Sequence, residues 1–99
     1  MKCLRVDLEN ELRLEIEGAL DALTARDVRP IFDQVVADRP KRVTIDVESL
    51  TLIDSSGVGA IVSLFKRVKA DGGQVVVVRA RDQPLAVLKL LKLDRILGL

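Results

Sequence analysis

Residues 43–78 read VTIDVESLTLIDSSGVGAIVSLFKRVKADGGQVVVV. Val43-Thr44-Ile45-Asp46-Val47 has the short, β-branched character of a strand. Glu48 to Ile53 reads as a short connector. Asp54-Ser55-Ser56-Gly57-Val58-Gly59 stands where that connector meets a helix. Val58, Ile61, Val62, Phe65 and Val68 then trace one helical face, while Ser63, Lys66, Arg67 and Lys69 fall mostly on the other. Gly72-Gly73 supplies the stop. Val75 to Val78 is an unbroken β-branched run, which predicts a central strand buried on both faces.

Moving toward the N-terminus, Pro40 and Lys41-Arg42 separate this block from a helical pattern. Val28, Ile31, Phe32, Val35 and Val36 recur at helical spacing. Thr24 is placed to cap that helix, with Asp27 completing an approximate capping box. Pro30 deletes a backbone hydrogen bond well past the first turn. Either the helix kinks there, or its regular part starts near Arg29. Leu12, Leu14 and Ile16 alternate with Arg13, Glu15 and Glu17, the period of a half-buried strand ending at Gly18. Leu4 and Val6 suggest a shorter first strand, joined to it by a hairpin through Glu9-Asn10-Glu11.

Toward the C-terminus, Asp82 can cap a last helix with Pro84 in its first turn. Leu85, Leu88 and Leu91 form its apolar stripe, widened by Val87 and Leu90. Ile96 and Leu97 suggest a short fifth strand. The expected order is β-β-α-β-α-β-α-(β). This is the α/β class: a layered domain over residues 1–99, with a mixed, mostly parallel sheet of four to five strands packed with three helices.

The chain has 99 residues, 48% apolar and 31% charged, close to an ordinary globular protein and far from a disordered one. It has no His, Trp or Tyr, one Cys and two Phe. Histidine acid–base catalysis, His-bearing triads and His metal sites are therefore excluded. A lone Cys forms no internal disulfide and is a poor start for a zinc site. Two Phe offer little for base stacking, so nucleic acid is not an expected partner. No stretch reaches the roughly 18 apolar residues of a membrane helix. Charges interrupt Met1-Lys2-Cys3-Leu4-Arg5-Val6-Asp7, so no signal-peptide apolar region is expected. Together these features predict a reduced, cytoplasmic protein.

The net charge is +1, but residues 1–50 carry 8 basic and 11 acidic side chains and residues 51–99 carry 8 and 4. That distribution is either ordinary solvation or a biased binding surface on the second half. Lys66, Arg67 and Lys69 pose the same choice, between solvation and a docking patch for an acidic partner. Cys3 reads as a small core or edge residue rather than a redox centre. Leu90, Leu93, Leu97 and Leu99 make the C-terminus apolar, either as core or as a dimer or partner contact.

The Asp54–Gly59 segment carries the chemistry. First-turn amides of a helix have no intrahelical partners and the dipole adds partial positive charge, so the position favours anions, including a phosphate carried on a serine. Ser55 or Ser56 reads first as an N-cap. A nucleophilic serine has no histidine to activate it, and the G-x-S-x-G elbow is absent. Gly57-x-Gly59 is too short for a dinucleotide or P-loop fingerprint.

The ordered block from Val43 to Val78 resembles the centre of a STAS domain, and specifically the bacterial anti-sigma factor antagonists. The pattern comprises a strand with an outward Asp, a Leu-rich connector, D-S-S-G-x-G, an amphipathic helix, a Gly-Gly turn and a Val-rich strand. The similarity extends back through Gly18-Ala19-Leu20-Asp21 and forward to Leu93-Asp94-Arg95-Ile96-Leu97.

The resemblance implies a regulatory phosphate on Ser55. It also implies partner contacts at Asp21, Asp54, Ser56, Gly57 and Val58, with no cofactor, no metal and no catalysis of the chain's own. The implied partners are an anti-sigma factor that is also a serine kinase, bringing ATP and magnesium, and a metal-dependent serine phosphatase. A homodimer is also compatible. Asp54 near a helix N-terminus has a local reading as well, since an acid there stabilises the helix by about 0.3–1 kcal/mol. Asp21 reads equally as a solvent-facing loop acid. STAS domains also serve as non-phosphorylated adaptors on lipid-transporting ABC complexes and as stress-signalling scaffolds. Two departures from the family pattern stand out: the last helix that many relatives add is not within these residues, and Pro30 is unusual in the first helix.

Overall fold

Alternation of apolar residues on three strands decides which side of the sheet the helices cover. The computed structural model describes Met1–Leu99, in the order β1 (Lys2–Asp7), β2 (Leu12–Leu20), α1 (Ala25–Ala37), β3 (Arg42–Asp46), β4 (Leu50–Ile53), α2 (Ser55–Ala70), β5 (Gln74–Val78) and α3 (Asp82–Leu90). The strands run β1-β2-β3-β5, with β4 paired to β2. β1 is antiparallel to β2, and every other pairing is parallel. Leu12 and Leu14 stand level with Val43 and Ile45, which stand level with Val75 and Val77, and Ile16 continues the same buried face of β2. That face forms one core with Val28, Phe32 and Val35 of α1, Ile61, Leu64 and Val68 of α2, and Leu88 of α3. Burying such side chains contributes about 1.5–3 kcal/mol each.

The α/β layered class is as expected, but the fifth strand lies elsewhere. Glu48–Ile53 is not merely a connector. Leu50–Ile53 forms β4, beside Gly18–Leu20 of β2, beyond the stretch where Leu12–Glu15 pair with β3. Ile96 and Leu97 lie in turns, and Leu97 meets β5 through a single bond from the Val77 N–H to its carbonyl (2.8 Å). β2 does not end at Gly18. The strand shifts register between Gly18 and Ala19, Gly18 taking φ +85°, and continues to Leu20. The unmatched residue is Thr51 on β4, and Gly18 opposite takes its positive φ with no Cβ penalty.

Val75–Val78 is an edge strand rather than a central one. It pairs only with β3; Val75 and Val77 are buried, while Val76 and Val78 on the other face are half-exposed. A continuous β-branched run does not reveal which strands have neighbours on both sides.

The helix ends also differ from expectation. Thr24 precedes α1 but makes no cap, because its hydroxyl donates to the Ala19 carbonyl (2.8 Å) instead; no capping box with Asp27 forms. α1 begins at Ala25, not near Arg29, and runs through Pro30, which is exposed. Neither Ser55 nor Ser56 caps α2; Asp54 does. α2 buries Leu64 fully, a position between the expected Ile61 and Phe65, while Val62 and Phe65 are only half-buried. Asp82 is the first residue of α3, in a left-handed conformation (φ +53°), and no side chain caps that helix. The α3 stripe is Pro84 and Leu88 with Leu85 and Val87 half-buried, whereas Leu90 and Leu91 are exposed. Of the C-terminal leucines Leu97 is core, Leu93 is half-buried, and Leu90 and Leu99 are exposed.

Asp46 faces outward from the core as expected, but it is not open to solvent. It lies buried on the sheet face opposite the core, under two arginines. Arg13 Nη2 donates to Oδ2 at 2.8 Å, Arg79 Nε to Oδ1 at 3.1 Å, and the Glu48 N–H to Oδ1 at 3.0 Å; Arg79 Nη2 also bonds Oδ2. Arg79 continues to Glu48 (2.6 Å). Led by the Arg79 bonds, these partners outweigh desolvation and pull the Asp46 carboxyl down to about 2.

Candidate functional site at the α2 N-terminus

β2 and β4 end side by side, and α2 springs from that end. The Asp54 N–H donates to the Leu20 carbonyl (3.2 Å), joining the two strand exits. Asp54 has an extended backbone (φ −113°, ψ −172°), as an N-cap requires. Its Oδ1 accepts from the Gly57 N–H at 3.0 Å and its backbone carbonyl from the Val58 N–H at 2.9 Å. Its Oδ2 accepts from the Ala22 N–H at 3.1 Å. One carboxylate thus caps α2 and fastens the loop between β2 and α1.

That loop is internally locked. Asp21 Oδ1 accepts from the N–H groups of Leu23 and Thr24, both at 3.0 Å, and the Asp21 N–H donates to Thr24 Oγ1 at 2.9 Å. The Thr24 N–H, first among these donors, lowers the Asp21 pKa from its ordinary value.

The expected site residues are therefore brought to one end of the sheet, but in different settings. Ser55 is exposed at the first helical position and Ser56 is half-buried at the second. Neither hydroxyl is hydrogen-bonded within the chain, and their N–H groups belong to the first turn, which has no intrahelical acceptors. Gly57 and Val58 are buried. A Cβ on Gly57 would lie 2.4 Å from the Leu20 carbonyl oxygen, 2.8 Å from Ile53 Cγ1 and 2.9 Å from Leu20 Cγ, so this glycine permits α2 to touch β2. Asp21 is half-exposed, with Oδ1 engaged inside its own loop.

Gln83 is a positioning residue that sequence reasoning does not single out. From the first turn of α3, its Oε1 accepts from the Ile53 N–H (2.9 Å) and its Nε2 donates to the Ile53 carbonyl (2.8 Å). The amide pairs with β4 as another strand would, immediately before Asp54. No local pattern marks it, because its partner is 30 residues away.

Other candidates lie elsewhere. Arg67 pairs with Asp33 on α1 (2.7 Å) and the Lys69 ammonium sits 5.4 Å from the Phe65 ring centroid, while Lys66 is exposed. An open groove of about 500 Å³, lined by Arg5, Asp38, Lys41 and Arg42 among others, lies at the opposite end of β2. Cys3 packs half-buried against the core, and burial raises its thiol to about 11. At pH 8 a thiol-specific reagent should therefore modify Cys3 at least about tenfold more slowly than free cysteine, because the loss of thiolate outweighs the greater nucleophilicity of a more basic thiolate. A rate near that of free cysteine would contradict this burial.

No helix is long and apolar enough to cross a membrane. Residues 5–99 match the STAS domain. The chain belongs to the STAS domain family. Over 78 residues this STAS domain is 28% identical to the anti-sigma F factor antagonist of Paenibacillus polymyxa, an alignment covering 75% of this chain and 67% of that protein. Its fold matches an anti-sigma factor antagonist from Mycobacterium paratuberculosis with a TM-score of 0.84 at 22% identity, over 95% of this chain and 80% of the other. It matches the Bacillus cell fate determinant SpoIIAA in its phosphorylated form with a TM-score of 0.78 at 16% identity, over 96% and 87% of the two chains. At such identities the two structures speak to the fold of this STAS domain.

Proposed function

We propose that this STAS domain is an anti-sigma factor antagonist that works as a partner switch, with Ser55 as the phosphate-bearing residue. The observation that carries the reading is the setting of Ser55. It is exposed, its hydroxyl is free of internal bonds, and it opens a helix whose first amides favour an anion. The names of the P. polymyxa relative and of the phosphorylated SpoIIAA structure support the same reading. The unphosphorylated chain binds an anti-sigma factor that is also a serine kinase. That kinase brings ATP and magnesium, and a metal-dependent phosphatase reverses the reaction. The chain acts in the cytoplasm as ligand and substrate, with no chemistry of its own. Asp21 and Ser56 flank Ser55 on the partner-facing surface, while Asp54, Gly57 and Val58 shape it from beneath.

Phosphate adds about −1.5 to −2 charges at neutral pH. The helix N-terminus tolerates that charge, so the two forms share a fold. The change is felt across the interface. Unit like charges about 4 Å apart repel by about 4 kcal/mol at an effective dielectric of about 20. Each 1.4 kcal/mol is about tenfold in affinity, so even half of that repulsion weakens a complex more than tenfold.

Intact-mass analysis of the protein from its native cells, with fragmentation to map the site, should find one phosphate on Ser55. The phosphorylated form should bind the kinase at least about tenfold more weakly than the unmodified form, with an unchanged far-UV CD spectrum. Equal affinities would overturn the switch. No phosphate in growth, stress or stationary phase would favour a non-phosphorylated STAS adaptor, with a membrane transporter or scaffold as partner.

A further inference from the structure

Two leucines are more than three-quarters exposed: Leu90 at 80%, in the last turn of α3, and Leu23 at 76%, in the loop between β2 and α1. A single exposed leucine is ordinary on a protein surface. Leu23 differs in how its backbone is held. Its own N–H is bonded to Asp21 Oδ1, that of Ala22 before it to Asp54 Oδ2, and that of Thr24 after it to Asp21 Oδ1. The Thr24 hydroxyl ties the loop back to Ala19. An apolar side chain on a backbone already fixed loses only its own rotamer freedom when a partner covers it, with no loop left to order, which favours strong binding per unit area. The acid that fastens this loop is also the cap immediately before Ser55. One side chain therefore ties the backbone that carries Leu23 to the backbone that carries Ser55.

We infer that Leu23 is a preformed docking knob, received by an apolar pocket on the kinase that takes Ser55 as substrate, and that Asp54 is a positioning residue holding knob and hydroxyl in register. The inference rests on the switch reading above and adds a contact to it. The kinase recognises the Ser55 surface in two places: the hydroxyl, where chemistry occurs, and the leucine beside it, which supplies binding. Buried anchors of this kind dominate interface energies. Substitution at Asp54 then acts through the two backbones it holds, since its oxygens accept from the Gly57 and Ala22 N–H groups.

The test measures the initial rate of Ser55 labelling by native-cell extract with radiolabelled ATP and magnesium, at low concentrations of the full chain. Leu23→Ser should be labelled at least about tenfold more slowly than wild type. Leu23→Met, which keeps the apolar volume, should recover most of the rate. Leu90→Ser, equally exposed but away from the site, should match wild type. Asp54→Asn should also slow labelling. Asn caps a helix as well as Asp does, so the Gly57 amide should stay protected from hydrogen exchange while the Ala22 amide, having lost its acceptor, exchanges faster.

Wild-type labelling with an undiminished Leu23→Ser rate would overturn the knob and leave the switch standing. A released Ala22 amide in Asp54→Asn with an unchanged labelling rate would overturn the positioning role. No label on wild-type Ser55 under any growth condition would overturn the switch itself, and this inference with it.

Discussion

Gly57→Ala is expected to cost this STAS domain about 3 kcal/mol or more, because overpacking against rigid groups costs about 1–3 kcal/mol even where neighbours give way. Here the new methyl carbon would meet the Leu20 carbonyl oxygen at 2.4 Å, well inside contact distance, as well as Ile53 and Leu20 side chains from the core. Leu20 is fully buried, and its carbonyl also receives the Asp54 N–H, so relief requires moving α2 off the strand ends that define the site. Total stabilities run about 5–15 kcal/mol, so the variant should lose much of its resistance to urea. Gly59→Ala provides the contrast. It lies in the same helix, and a Cβ there meets nothing within 4 Å. Replacing that glycine should stabilise the protein by about 0.5–1 kcal/mol through helix propensity. Urea denaturation of both variants checks the pair, and equal effects of the same sign would refute the close-approach account.

The second large effect is at Asp46. Asp46→Asn keeps the shape of the side chain but removes the charge on which Arg13 and Arg79 converge. Breaking a fully buried pair costs about 3–5 kcal/mol. Arg13 and Arg79 are 26% and 52% exposed and can turn to water, so about 2–3 kcal/mol is expected near pH 7.

The pH dependence separates charge from packing. The folded carboxyl titrates near 2, below its ordinary 3.8. A depressed folded value means stability that is fully present above about pH 5 and is lost as pH falls from there toward 2, amounting to about 2 kcal/mol. Wild type and Asp46→Asn should therefore differ most above pH 5 and converge near pH 2. A difference that stays constant across that range would show that the ion-pair network does not hold this face together.

The helix face of the sheet was legible locally. Leu12, Leu14 and Ile16 alternate, and all three are buried in the core as that period requires. The start of α2 was legible because Asp, Ser and Gly cluster there, whereas the choice of Ser55 within it comes from the family resemblance. What escaped were relations between distant residues. Leu50-Thr51-Leu52-Ile53 is only four residues long, and its apolar–polar order would bury Leu52 beside Leu50, whereas the structure buries Leu50 and Ile53 and exposes Leu52, so the local pattern does not establish β4. It exists because Gly18–Leu20 offer it a partner. Val75–Val78 looked central because β-branched density reports how a strand packs and is silent about how many neighbours it has.

The sequence by itself determined the layered α/β class, the faces that alternation and helical spacing select, and the placement of Ser55 at the head of α2. Those properties depend on residues within a turn or two of one another. Tertiary structure alone decided that Asp54 serves two backbones, that Gly57 must be bare, that Asp46 lies under two arginines, and that Gln83 closes the edge of β4. Each of these depends on groups roughly 30 or more positions apart along the chain, and which acceptor meets which donor at that range is fixed only once the sheet has assembled.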